Sequence, residues 1–226
     1  CRRQRQMCIR DRTYGQANSG KTHTLLGEVH HNKIDQSVSI ENHGVHLRSM
    51  EQLFSLLELR SERFKDNVTL NLVEVHDERL VDLLAGTDFG EAHGRVEDAQ
   101  KSSNSRRRKD TNDESTASQI ATNSISSSRP KLEIKTNRDG ETAIRGVLSV
   151  EVSSFKEILC IWKESLALRS KRLAEQDMDY IAYEQDSHII ATLKVSSKNL
   201  ATGACTFGRM QFVDFASSEI CLLYTS

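Results

Sequence analysis

The chain has 226 residues, enough for one α/β domain with a full core. Its 31 lysine and arginine residues nearly balance 32 aspartate and glutamate residues, so bulk charge gives no footprint for nucleic acid or an anionic membrane surface. No stretch approaches the ~18 apolar residues of a membrane span. The five cysteines lack C-x-x-C spacing, which argues against a zinc site, a thioredoxin-like motif or a disulfide framework and for a reducing, intracellular compartment. The basic N-terminus is not followed by the apolar region of a signal peptide.

In chain order, Cys1–Arg12 shows neither periodicity nor capping logic, and Ile220–Ser226 breaks off without completing an element. Both resemble translated sequencing-adapter DNA, and both are set aside from fold reasoning as non-native ends. Ser49–Arg60 carries Met50, Leu53, Phe54 and Leu57 at helical spacing and predicts an amphipathic helix. Val68–Val75 predicts a strand, and Asp77–Leu84 a short helical turn. From Thr87 to Arg129 the chain is polar and rich in serine, and it is expected to form a disordered insertion. The basic run Arg106–Lys109 inside it is followed at once by Asp110, Asp113 and Glu114, the pattern of a solvated mixed-charge loop.

Beyond the insertion, Leu132–Lys135 predicts a strand, Asp139-Gly140 a turn and Ile144–Val152 further extended chain. Ser154 and Glu157 form a capping box for a long helix reaching about Ala174, with Phe155, Ile158, Leu159, Trp162 and Leu166 on its apolar face. Trp162 on that face reads as core. His188–Ser196 and Phe207–Phe215 predict two more strands. Strands mixed with helices point to an α/β fold. His30, His31, His43 and His46 have no cysteine or carboxylate at ligand spacing and read as surface loop.

One motif carries chemistry. Gly15-Gln16-Ala17-Asn18-Ser19-Gly20-Lys21-Thr22 fits G-x-x-x-x-G-K-[ST]. In such a loop, glycines permit a tight turn that aims successive N–H groups at phosphate oxygens, and the following helix points its positive end at the same anion. Lys21 would neutralise the β/γ-phosphates of ATP, and the Thr22 hydroxyl would ligate Mg²⁺. A small-molecule kinase would use the same loop, but nothing in the chain matches an acceptor site or lid.

The surroundings of the loop narrow the reading. Tyr14–Thr24 (YGQANSGKTHT) resembles the phosphate loop of kinesin motor domains. Val73–Leu84 (VEVHDERLVDLL) resembles the family's E-I-Y-N-E…D-L-L segment, and Ser187-His188 resembles the end of its first switch. Phe212–Glu219 (FVDFASSE) resembles its second switch, D-L-A-G-S-E. The four motifs lie in the family's order and cover about Thr13–Glu219. The resemblance implies a partial motor domain with a P-loop NTPase core: a central, mainly parallel sheet flanked by helices, incomplete here. It implies ATP and Mg²⁺ as cofactors, hydrolysis coupled to movement on microtubules, a cytoskeletal location in the cytoplasm, and dimerisation through regions outside residues 1–226. Nucleic acid and membranes are not among the implied partners. It further implies that His23 packs beside the adenine, that Asp214 senses Mg²⁺ through water, and that Ser187 and Glu219 belong to the catalytic switches. Asp139–Gly146 matches a region that touches tubulin.

The first switch departs from the pattern. The family's arginine falls on Asp186, its two serines on Glu184 and Gln185, and its asparagine on Ile181. The second-switch glycine is Ser217. Asp186 facing Glu219 would replace attraction by repulsion. A degenerate pseudo-motor that binds nucleotide and acts as a microtubule-associated or scaffolding protein with little hydrolysis is therefore the alternative to an active ATPase, and corruption of the sequence at this switch is a third reading. The strand expected before the phosphate loop is replaced by Cys1–Arg12, which predicts a sheet lacking that member.

Overall fold

The computed structural model describes residues 7–32, 37–96, 131–136, 142–176, 178, 183 and 186–218. Its framework is a mixed sheet built from β1 (Met7–Thr13), β4 (Phe64–His76), β5 (Arg79–Asp82), β6 (Gly94–Val96), β9 (Leu148–Val152), β10 (His188–Asn199) and β11 (Cys205–Asp214). The order is β1-β11-β10-β4-β9-β6, with β5 paired to β4. Two hairpins lie apart from it: β2 (Glu28–His31) with β3 (Val38–Glu41), and β7 (Glu133–Thr136) with β8 (Thr142–Arg145).

The α/β class holds, but the sheet is mixed rather than mainly parallel. Among the described pairings only β1–β11 is parallel. The reason is local: β10 returns into β11 through a short turn, and β4 into β5 through Asp77-Glu78, and tight turns join only antiparallel strands. Asp77 and Glu78 both have positive φ, 48° and 61°, as a two-residue hairpin turn of the primed type requires. The segment predicted as a helical turn is therefore a hairpin arm.

The exclusion of Cys1–Arg12 from the fold is corrected over Met7–Arg12. Those residues belong to β1, in register with Gly208–Val213 of β11, so the strand position before the loop is filled. Alternation was hidden because this strand carries Arg10, Asp11 and Arg12, and its stabilisation comes from the backbone ladder with β11. The exclusion of Ile220–Ser226 concerns residues outside those described.

Side chains in cross-strand register share a face. Leu70 with Leu193 and Leu72 with Ala191 and Phe212 line the face covered by α2 (Val45–Leu59) and α4 (Phe155–Glu175). From α2 come Leu47, Met50 and Leu57, and from α4 Ile158, Ile161, Trp162 and Leu166, so both amphipathic readings hold. At the start of α4, Ser154 accepts from the Glu157 amide at 3.3 Å. The reciprocal arm of the expected capping box lands one residue earlier: the Glu157 carboxylate accepts from the Ser153 amide at 2.8 Å and its hydroxyl at 2.6 Å, two donors where Ser154 would offer one.

Thr87–Val96, expected to belong to a structureless insertion, are instead built into the fold. Thr87 caps α3 (Asp88–His93), accepting from Gly90 N at 2.8 Å, and β6 then pairs with β9. Packing of this short turn and edge strand against β9 outweighs the polar composition. Residues 97–130, including Arg106–Lys109, and the turn at Asp139-Gly140 lie outside the described residues.

Candidate functional site

Between β1 and α1 (Lys21–Leu25) the chain turns through residues 14–20. Gly20 has φ 81° and Asn18 φ 55°, left-handed conformations that glycine and asparagine tolerate best. Lys21 Nζ donates to the Gln16 carbonyl at 2.8 Å, which holds the ammonium over the loop. Because α1 is only five residues long, its macrodipole adds little, and the loop N–H groups with Lys21 carry the positive potential.

The oxygen donors are set by register. Thr13, Asp214, Ile189 and Glu74 form one row across β1, β11, β10 and β4. Asp214 therefore ends its strand beside the loop, accepting from the Thr22 hydroxyl at 2.6 Å and the Thr13 hydroxyl at 2.8 Å. Glu74, two strands away and so about 10 Å off, is fully buried under α4. It accepts from Arg169 Nε at 2.6 Å and Arg172 Nη2 at 2.9 Å.

The walls of the cleft above this row include Ser187, Phe215 and Ser217. Ser187 is buried, and its hydroxyl accepts from Arg169 Nη2 at 2.7 Å. His188 Nδ1 accepts from the Ala216 amide at 2.7 Å, and its ring meets Phe215 edge-on at 5.4 Å. That hydrogen bond requires a neutral ring protonated on Nε2, in keeping with burial that lowers the His188 pKa. Ser218 N donates to the Gly15 carbonyl at 3.1 Å, tying the segment after β11 to the loop. The cleft, about 310 Å³, is lined by Ala17–His23, Arg169, Ser187, Ile189, Asp214, Phe215 and Ser217.

The structure thus brings Ala17, Asn18, Ser19, Gly20, Lys21, Thr22, His23, Asp214 and Ser187 around one cleft, with Gly15 and Gln16 bracing the loop behind them. His23 is solvent-exposed, 3.6 Å from Glu28. Glu219, Glu184, Gln185 and Ile181 lie outside the described residues; Asp186 is exposed. Sequence reasoning missed Glu74, Arg169 and His188's link to Ala216. Arg169 had a signal: it continues the Ile158, Ile161, Leu166 apolar stripe of α4, where a charge demands a buried partner. The surface reading of the histidines fails at His46, which is 1% exposed in the first turn of α2 between Trp162 (4.9 Å) and Phe212 (4.5 Å). Its desolvation lowers the pKa to about 3. Among the described residues no group of three or more His, Cys, Asp or Glu side chains could hold a metal, and no helix is long and apolar enough to cross a membrane.

The family model described as kinesin motor domain matches residues 5–223. A kinesin-like protein of Arabidopsis thaliana, KIN-14R, is 26% identical over 91% of the chain and 14% of its own length. The Caenorhabditis elegans kinesin-like protein klp-3 is 26% identical over 91% of the chain and 25% of its length. Among solved structures, a fast kinesin superposes with a TM-score of 0.62 at 19% identity, covering 95% of this chain and 46% of that one. The motor domain of the Saccharomyces cerevisiae kinesin-like protein Kar3 gives 0.56 at 20% identity over 95% of this chain and 48% of that one. The chain therefore spans less than half of either solved chain and a quarter or less of the two curated relatives.

Proposed function

The chain belongs to the kinesin motor domain family, and from that premise we propose that residues 13–219 form part of an ATP-binding head that moves on microtubules. The observation that carries this reading is the convergence of the Thr22 and Thr13 hydroxyls on the Asp214 carboxylate beside a turned loop of N–H groups and Lys21. A set of hard oxygen donors next to an anion cradle fits Mg²⁺ and a triphosphate. Thr22 would hold the ion directly and Asp214 through water; when bound, Mg²⁺ supplies neutralisation of charge on the β- and γ-phosphates. The chain's own residues do the rest. Lys21 and the loop amides bind and orient the phosphates, while Ser187, Phe215 and Ser217 wall the cleft on the side where water would attack. His23, beside Glu28, would flank the base.

Tubulin contact through Asp139–Gly146, dimerisation through regions outside residues 1–226, and a cytoskeletal, cytoplasmic location belong to the same proposal. So does the division into a head, an insertion between β6 and β7, and non-native stretches before Met7 and from Ile220 to Ser226. A second reading, a head that binds nucleotide with little hydrolysis, is favoured by one observation: Asp186, directly before Ser187, places an acid where the family uses arginine. Titration of a fluorescent Mg-ATP analogue into the full-length protein carrying this chain tests nucleotide binding. Lys21→Ala is expected to weaken it by about 10- to 100-fold, the scale of a hydrogen bond to a charged group. Equal affinity of the two forms would overturn the proposal.

A further inference from the structure

Arg169 is the one fully buried guanidinium among the described residues, at 1% exposure. Its fork is divided: Nε donates to Glu74 at 2.6 Å and Nη2 to the Ser187 hydroxyl at 2.7 Å. Glu74 is completely buried and takes a second guanidinium, Arg172, at 2.9 Å. Arg169 also lines the cleft. The seat of Arg169 is closed by Tyr183, whose ring lies 5.3 Å from the guanidinium carbon and stacks on His76 at 4.0 Å with a 27° interplanar angle. Arg169 is thus held by β4 below and by aromatic stacking above, a geometry that only a planar, always-charged fork can satisfy.

Arg169 lines the cleft and holds Ser187 there through its Nη2. A serine oxygen that accepts from a guanidinium keeps its own O–H as a donor, and a charge-assisted bond on the oxygen polarises that donor. The Ser187 hydroxyl lines the same cleft as Thr22 and Asp214. We propose that Arg169 is a positioning residue for an anionic ligand of this cleft: anchored on Glu74, it fixes and polarises Ser187 so that the hydroxyl donates to a phosphate oxygen. The inference rests on the reading of the cleft as a nucleotide site. It gives the cleft a second cation beside Lys21, although the family's arginine position holds Asp186.

The test is release of a fluorescent Mg-ADP analogue from the full-length protein carrying this chain, which reads positioning whether or not hydrolysis is fast. Four forms are compared: unaltered, Arg169→Lys, Ser187→Ala and the double variant. Lysine keeps the buried charge on Glu74 but cannot reach two acceptors in fork geometry, so Arg169→Lys should keep a thermal midpoint near that of the unaltered protein yet release nucleotide about tenfold faster or more. Ser187→Ala should release at the same raised rate, and the double variant should add nothing further. Additive effects of the two changes, or an unaltered rate in Ser187→Ala, would overturn the inference while leaving nucleotide binding intact. Should Arg169→Lys fail to fold, Ser187→Ala alone decides in the same way. Failure of the unaltered protein to bind the analogue would overturn the nucleotide reading and this inference with it.

Discussion

His46 makes folding of this domain sensitive to mild acid. Its ring is buried between Trp162 and Phe212, its Nε2 has no hydrogen-bond partner among the described residues, and the small cavity beside it is walled by Leu25, Leu26 and Ala191, with Arg169 and Asp214 the charged groups on its rim. Desolvation lowers the pKa from 6.5 to about 3. The sign follows from proton counting. Between pH 6.5 and 3 the unfolded ring binds a proton that the folded ring refuses, so stability is full above 6.5 and falls as pH drops through that window. The limiting slope is about 1.4 kcal/mol per pH unit, and from pH 7 to pH 5 the loss is about 2 kcal/mol. For a domain of this size that is a fall of about 4–8 °C in thermal midpoint. His46→Leu removes the titration and suits the apolar walls. His31 and His188, whose pKa values are also lowered by burial, add slope to both proteins alike and cancel in the difference. Melting curves at pH 7, 6 and 5 should therefore converge on a variant that loses about 2 kcal/mol less than the unaltered protein. Parallel pH dependence of the two would refute the reasoning.

Two structural predictions accompany it. Thr87→Ala removes an acceptor for Gly90 N at 2.8 Å and a donor to the Leu84 carbonyl at 2.7 Å, both buried, and should cost about 1–2 kcal/mol in denaturant melts, with Thr87→Ser restoring most of it. Gly44→Ala places a methyl 2.5 Å from the Leu25 carbonyl group at an ordinary φ of −75°, so a steric cost of about 1–3 kcal/mol is expected without any conformational one; a variant as stable as the parent would contradict that contact.

The chemistry of the cleft was legible because it is contiguous. Gly15–Thr22 specifies its own turn, and Ser187-His188 and Phe212–Glu219 sit within short strings whose residue types carry the resemblance to motor domains. The long elements were legible for a similar reason: α2 and α4 repeat one periodicity over ten or more residues, and β4, β10 and β11 each hold a long run of β-branched and apolar residues. Short elements were not. The β5 arm and α3 are four and six residues, too short for a period to show, and each is decided by one local device, the positive-φ pair Asp77-Glu78 and the Thr87 cap.

What only the tertiary structure decided is pairing across distance. Nothing in Met7–Arg12 announces a strand, because its ladder partner lies some 200 residues away in β11. His46 looked like a surface histidine because burial depends on Trp162 and Phe212, which come from other elements. The sequence alone determined that the G-x-x-x-x-G-K-[ST] pattern is present at Gly15–Thr22; it also carried, unread, an arginine at position 169 on the apolar stripe of α4. That Glu74 answers the arginine, and that the pair holds Ser187 against the cleft, follows only from the register of β4 with β10 and from the packing of α4 over both. A buried charge is tolerable only where a partner meets it, and partners 95 and 18 residues apart in sequence meet only when the sheet has formed.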